Sequence, residues 1–225
     1  MFPALAFAAP VLLAGCAGDS SALDPAGPGA RAIARLWWVM FSASVVLFGL
    51  VMGLFALVML KPSAGARLPA GRWILWGGLV MPVPVLLGLL FVSLVQGEHL
   101  LAREGEGDPL RIEAHARQWQ WEFRYVDAEG SPVTIGVLHM PVGRPVDIVT
   151  VSADVIHSLW VPALGGKIDA VPGHRNHVRL LADRSGTFGG LCAEFCGTGH
   201  AAMRFEVQVH EPGAFLDLLE RDFAE

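Results

Sequence analysis

Residues Leu191–Met203 read LCAEFCGTGHAAM. Cys192 and Cys196 stand four apart, His200 follows four further on, and Met203 three beyond that. Four soft or borderline donors in one short loop have several possible uses. A Cys192–Cys196 disulfide is chemically permitted outside the cytoplasm, but it leaves His200 and Met203 without a purpose. Structural zinc takes Cys₂His₂ sets, usually as two pairs well separated in sequence, and methionine suits it poorly. A Cys–His nucleophile pair needs a hydrolase context that the flanking residues do not supply. Copper suits thiolate, imidazole and thioether together. Mononuclear copper sites of that kind use one Cys and two His, so two cysteines invite two ions sharing thiolates and a second imidazole from elsewhere. His157, in SADVIHSLWVPALG at an expected strand end, is the best candidate; His174 and His177 in PGHRNH are alternatives. His115, His139 and His210 read as surface or strand positions.

Working outward, the chain of 225 residues is 53% hydrophobic and 16% charged, with mean hydropathy +0.50. That balance implies a membrane part plus a modest soluble domain. A formal net charge of −5 argues against a nucleic-acid partner. Trp37–Leu60 and Trp73–Gly97 carry no charge over 24 and 25 residues. At ~1.5 Å per residue each can cross a hydrocarbon core of ~30 Å. The intervening loop holds Lys61, Arg67 and Arg72 and no acid, so the positive-inside rule puts it in the cytoplasm and both ends of the hairpin (37–97) outside. Pro82 and Pro84 are expected to kink the second span. Upstream, the apolar run Phe2–Leu13 followed by LLAGC resembles a bacterial lipoprotein signal, with residues 1–15 removed and Cys16 lipidated. Residues 16–36, with SSALDPAGPGA, read as a flexible tether.

From Asp108 the pattern turns to period two. In RIEAHARQWQWEFRYV, Ile112, Ala114 and Ala116 alternate, then the phase shifts to Trp119, Trp121, Phe123 and Tyr125, which predicts a bulge near Arg117. VTIGVLHM, PVDIVTVS, HVRLLA, TFGGLC and RFEVQVH follow as short strands between Gly/Pro punctuation. The expected fold over 108–211 is an all-β sandwich or Greek-key barrel, closed by a helix over 212–225 with Phe215, Leu218 and Leu219 on one face.

DVIHSLWVPALGGKIDAVPG, GLCAEFCGTGHAAM and RQWQWEFRY, behind a two-helix hairpin, resemble subunit II of the haem–copper cytochrome c oxidases over Trp37–Glu211. The resemblance implies a cupredoxin-like domain with a binuclear copper A (CuA) centre. In it Cys192 and Cys196 bridge the coppers, and His157 and His200 bind one copper each. Met203 and the Glu194 carbonyl are weak ligands. It also implies a Mg²⁺ or Mn²⁺ on the Glu194 side chain at the boundary with subunit I, and electron uptake from cytochrome c through Trp119. The implied partners are oxidase subunits I and III, in a bacterial inner membrane with the copper domain on the periplasmic side. Residues 108–225 hold 16 acidic and 10 basic side chains, net −6, which suits a basic cytochrome c. No Cys-x-x-Cys-His haem motif occurs, so the donor is expected to be a separate protein. Three features depart from the family pattern: Gln120 replaces a tyrosine, His174 replaces an arginine, and no Asp or Glu lies between Lys61 and Gln96. The rival readings are a CuA subunit of a nitric oxide reductase and a membrane-tethered copper carrier. A quinol oxidase subunit is the third rival, but such subunits lack these ligands.

Overall fold

The structure, a computed structural model, describes residues 16–65, 69–100, 108–128 and 130–221. The expected signal peptide, 1–15, lies outside them. The chain divides into a helical unit, 35–101, and a β unit made of the residues before and after it.

In the helical unit, α1 (Pro28–Leu60) is followed by the short helices α2 (Pro62–Gly65) and α3 (Ala70–Leu75). A π-helical turn (Trp76–Val80) then leads into α4 (Pro82–Leu100). Two stretches, Pro28–Leu60 and Ala70–Val95, are long and apolar enough to cross a membrane, and their most apolar windows are not buried within the protein. Phe48, Phe55, Leu86 and Phe91 are all exposed, as side chains facing lipid must be. Ahead of Pro82 and Pro84 the helix widens into the π turn. The Met81 N–H bonds the Trp76 carbonyl at 3.0 Å, and Pro82 and Pro84 have no N–H with which to continue the preceding ladder.

α1 starts nine residues earlier than the predicted span. Pro28, at its first position, is preorganised for a helix, and Ala30 and Ala34 are buried. Residues 16–27 are correspondingly not a free tether. The Ala26 N–H donates to the Ala163 carbonyl (2.7 Å), the Asp183 N–H to the Ala26 carbonyl (3.0 Å), and the Gly189 N–H to the Asp19 carbonyl (2.9 Å). Asp24 pairs with Arg184 at 3.0 Å, and Arg31 with Asp183. The small, Gly/Pro-rich composition read as flexible is what lets this backbone lie flat on the β unit. A Cβ at Gly27 would overlap the Leu181 carbonyl oxygen.

The β unit is a two-layer sandwich of the cupredoxin-like kind expected. Its strands are β1 (Leu110–Arg117), β2 (Gln120–Tyr125), β3 (Val133–Ile135), β4 (Val137–Pro141), β5 (Val146–Ser152), β6 (His157–Trp160), β7 (Ile168–Ala170), β8 (Asn176–Leu180), β9 (Gly186–Cys192) and β10 (Arg204–His210). One sheet runs β3-β2-β1-β5-β8, the other β4-β10-β9-β6-β7. Ile112, Ala114, Trp121, Phe123 and Ile148 from the first face Leu138, Met140, Leu159 and Val207 from the second in one buried core. Polar links also cross between the sheets, Asn176 Nδ2 donating to the Asp169 carbonyl at 2.8 Å among them. The His139 N–H donates to the Tyr125 hydroxyl at 2.7 Å, and the Thr150 hydroxyl donates to the Asp169 carbonyl at 2.9 Å. Burial pushes the Tyr125 phenol up to about 12, so it stays neutral in this role.

Two strand expectations are corrected. The phase shift after Ala116 is a hairpin, not a bulge. Arg117 pairs with Gln120 and Ala116 with Trp121, leaving Gln118 and Trp119 (joined by a cis peptide) as the two-residue turn. Because facing residues of an antiparallel pair share a side, Ala116 and Trp121 point inward together despite their opposite parity. VTIGVLHM is two strands in different sheets. Gly136, at φ 72°, turns the chain between them, a backbone conformation costly for other residues. The closing helix α5 (Pro212–Arg221) has Phe215 buried and Leu219 against the core; residues 222–225 lie outside those described.

Gly27→Ala should force the N-terminal segment off the β unit. Overpacking of this type costs ~1–3 kcal/mol. Thermal unfolding of the full chain should shift downward, and limited proteolysis should newly cut residues 16–27.

Candidate metal centre

The pairing of β6 with β9 sets Leu159 opposite Cys192, and the Ala193 N–H bonds the Ser158 carbonyl at 2.9 Å. His157 is therefore a diagonal neighbour of Cys192 on the same face, within side-chain reach. β9 and β10 are paired up to Leu191 and Arg204, and the Cys192 N–H donates to the Met203 carbonyl at 2.9 Å. The intervening loop is thus pinned at its neck and folds back over the end of the sandwich. A 3₁₀ turn (His200–Ala202) returns His200 toward Cys196.

The donors converge. Cys192 Sγ lies 3.9 Å from Cys196 Sγ, 3.8 Å from His157 Nδ1 and 3.3 Å from the Glu194 carbonyl oxygen. Cys196 Sγ lies 3.6 Å from His200 Nδ1 and 3.8 Å from Met203 Sδ. His157 is fully buried, and Cys192, Cys196 and Met203 nearly so. Both thiols are free, at a separation far beyond the ~2.05 Å of a disulfide. Each sulfur thus has its own imidazole, with Met203 beside one and a carbonyl beside the other. His157, Cys192 and Cys196 bring their ligand atoms within 4.8 Å of one another. His174, in a turn, and His177, on β8 opposite Val149, are outside the cluster.

Asp154, assigned no role in the sequence reading, orients the buried imidazole. Its Oδ1 accepts from His157 Nε2 at 2.8 Å. A carboxylate only accepts, so Nε2 carries the proton and Nδ1 presents its lone pair to the cluster, the usual arrangement behind a metal-binding histidine. Burial works against the Asp154 charge, but the Gln118 N–H, the His157 imidazole and the Val155 N–H outweigh it and hold the carboxyl below its usual range. Burial, reinforced by Cys192, pushes the Cys196 thiol up to about 11. A metal bound beside it would draw off the proton. The donor set fits a thiophilic metal: two thiols, two imidazole Nδ1 atoms, one thioether and one carbonyl, with little water access.

Trp119, at the tip of the β1–β2 turn, is 43% exposed. Its indole N–H donates to the Cys196 carbonyl at 3.2 Å, and a Cβ on Gly199 would overlap its ring. Phe195, between the cysteines, is 77% exposed and lies edge-on to His200. The Glu194 carboxylate is half-exposed, 3.5 Å from Lys167 Nζ. Cys16 is half-buried, and its carbonyl accepts from the Ser21 hydroxyl at 2.7 Å.

A β-sandwich carrying a buried cluster of thiol, imidazole and thioether donors, with two apolar helices, defines the class of protein. Comparison narrows it. The sequence model of the family described as cytochrome C oxidase subunit II, periplasmic domain, matches residues 133–210. Cytochrome c oxidase subunit 2 of Alkalihalophilus pseudofirmus is 37% identical over 216 residues, covering 88% of this chain and 61% of the relative. The Saccharomyces cerevisiae subunit 2 is 31% identical over 224 residues, covering 87% and 88%. The crystal structure of the periplasmic domain of subunit II of cytochrome oxidase of Bradyrhizobium japonicum aligns with TM-score 0.49 at 30% identity, over 55% of this chain and 99% of that one. The chain belongs to the cytochrome c oxidase subunit II family.

Two outcomes are expected of the site. Asp154→Ala frees the His157 ring and should weaken metal binding by ~10–100-fold, measured by chelator competition. Because the thiols must deprotonate, affinity should be higher at pH 8 than at pH 6, with protons released on loading; pH-independent binding would contradict the thiol assignment.

Proposed function

We propose that this chain is the electron-uptake subunit of a respiratory cytochrome c oxidase. In this reading the cluster would hold a binuclear CuA centre, with Cys192, Cys196, His157 and His200 as its principal ligands. Met203 and the Glu194 carbonyl are the weak ligands. The observation that carries it is the arrangement of the two buried thiols, each facing its own imidazole Nδ1. One thiol with two imidazoles would suit a single copper; two thiols with an imidazole apiece suit a pair. When bound, such a centre supplies one-electron transfer without oxygen chemistry on this chain.

The protein's own groups then have defined tasks. The Asp154–His157 bond fixes a ligand ring so that it need not reorient when charge changes. Burial of Cys192, Cys196 and Met203 excludes water. Trp119 is exposed on one side and hydrogen-bonded to the Cys196 carbonyl on the other; in this reading it receives the electron from a docked cytochrome c. The net charge of −6 over residues 108–225 favours a basic donor. Electrons pass to haem in subunit I, with subunit III completing the complex, for reduction of oxygen to water. The half-exposed Glu194 carboxylate can contribute to a Mg²⁺ or Mn²⁺ site shared with subunit I. The apolar helices anchor the chain in the bacterial inner membrane with the β unit on the periplasmic side, a lipidated Cys16 adding a further anchor.

The test is copper loading of the full chain in detergent. Two coppers per chain sharing one unpaired electron are expected by metal analysis and electron paramagnetic resonance, and Cys196→Ser should abolish the mixed-valence signal. One reversibly bound copper would instead indicate a carrier, and zinc preferred at equal supply would refute the reading.

A further inference from the structure

The residue before Trp119 is fastened to both halves of the donor cluster. The Gln118 backbone N–H donates to Asp154 Oδ2 at 2.7 Å, and Asp154 Oδ1 holds His157 Nε2 at 2.8 Å. The Gln118 side-chain amide donates to the Cys196 carbonyl at 2.8 Å. That carbonyl also accepts from Trp119 Nε1 at 3.2 Å. A carbonyl oxygen has two lone pairs, and these two donors occupy both. The stronger, shorter bond comes from Gln118, so it sets the plane of the peptide and the direction in which the second lone pair meets the indole.

The peptide needs setting. It is followed by Gly197 at φ 116°, a residue with no Cβ to restrict rotation. Beyond it, the His200 N–H donates to the Gly197 carbonyl at 3.1 Å, and the Trp119 ring lies against Gly197 and Gly199. The partners of Gln118 are 36 and 78 residues away in sequence, so nothing local holds them together.

We propose that Gln118 is a positioning residue that locks the Cys196–Gly197 peptide, and with it the Trp119 indole, in register with the donor cluster. The copper part of this role rests on the function proposed above. The peptide lock itself does not, because it consists only of groups of this chain. Gln118 touches neither sulfur nor imidazole; it acts through the Cys196 carbonyl and through Asp154. Removing its amide leaves Trp119 one partner but frees that partner to rotate.

The experiment compares the wild-type full chain in lipid nanodiscs with Gln118→Leu and Gln118→Glu. Leucine keeps the bulk without a donor. Glutamate keeps length and polarity but cannot donate when ionised. Both retain the backbone N–H to Asp154. In the metal-free protein, the ¹⁵N-indole resonance of Trp119, identified by its loss in Trp119→Phe, should exchange with water about 5-fold faster in both variants, the effect of losing about one hydrogen bond. In copper-loaded protein both variants should keep their copper while the hyperfine pattern of the Cys196 β-protons changes. Electron uptake at saturating cytochrome c should fall about 10-fold, the scale of an outer-shell change, with KM unmoved. Unchanged indole exchange in both variants would overturn the proposal. So would a rise in KM alone with an unaltered copper spectrum, which would make Gln118 a docking contact. If the wild type fails to take up two coppers, the functional reading falls while the indole measurement still decides the lock.

Discussion

The antiparallel pairing of β6 with β9 is the contact on which the candidate centre depends. It is short, two residue pairs, Leu159 with Cys192 and Trp160 with Leu191. Yet it joins segments more than 30 residues apart and places a histidine from one beside a cysteine from the other. The register matters as much as the pairing. A slip of one residue would send His157 to the opposite face of the sheet, and Cys192 would lose its imidazole. The fully buried Leu159 and Val161 resist such a slip, since moving them outward would expose apolar surface. The hydrophobic core thus sets the geometry of the donor cluster.

A second layer of contacts restrains the groups that the pairing assembles. Asp154 orients His157, Gln118 reaches both Asp154 and Cys196, and Trp119 covers the glycines of the Cys192–Met203 loop. All three come from turns at one end of the sandwich. Turns supply adjustable polar groups, and strands hold their ends in place, so rigidity and chemical variety are both available there. The glycines at 197 and 199 are the complement of the tryptophan. A side chain at Gly199 would occupy the space of the indole, so the loop and the β1–β2 turn fit only as a pair.

The N-terminal segment extends this logic to the edge of the β unit. Composition marks residues 16–27 as unstructured, but the same small residues allow close backbone approach. Ala26 exchanges hydrogen bonds with Ala163 and Asp183, and Gly27 lies against the Leu181 carbonyl. Lack of bulk reads as freedom in a sequence and as contact in a folded chain, and only a neighbouring surface decides between them.

Several features were legible from residues alone. Two uncharged runs could only be apolar helices, because length and hydropathy leave no other economical use for them. Alternation from Asp108 announced strands, and the spacing of Cys192, Cys196, His200 and Met203 announced a soft-metal donor loop. These are local properties, carried by neighbours in the chain. Non-local properties were not legible in the same way. The hairpin at Gln118–Trp119 has no Gly, Asn or Asp to mark it, so its phase shift reads as a bulge. Gly136 transfers the chain between sheets within what looks like one strand. Which of His157, His174 and His177 completes the cluster is set by strand pairing, and the ties from Gln118 to Asp154 and Cys196 exist only once three turns meet at one end of the sandwich. Sequence by itself determined the kinds of element and the kinds of donor; tertiary structure decided which donors meet, because register and sheet order arise from burial of the whole core rather than from any one segment.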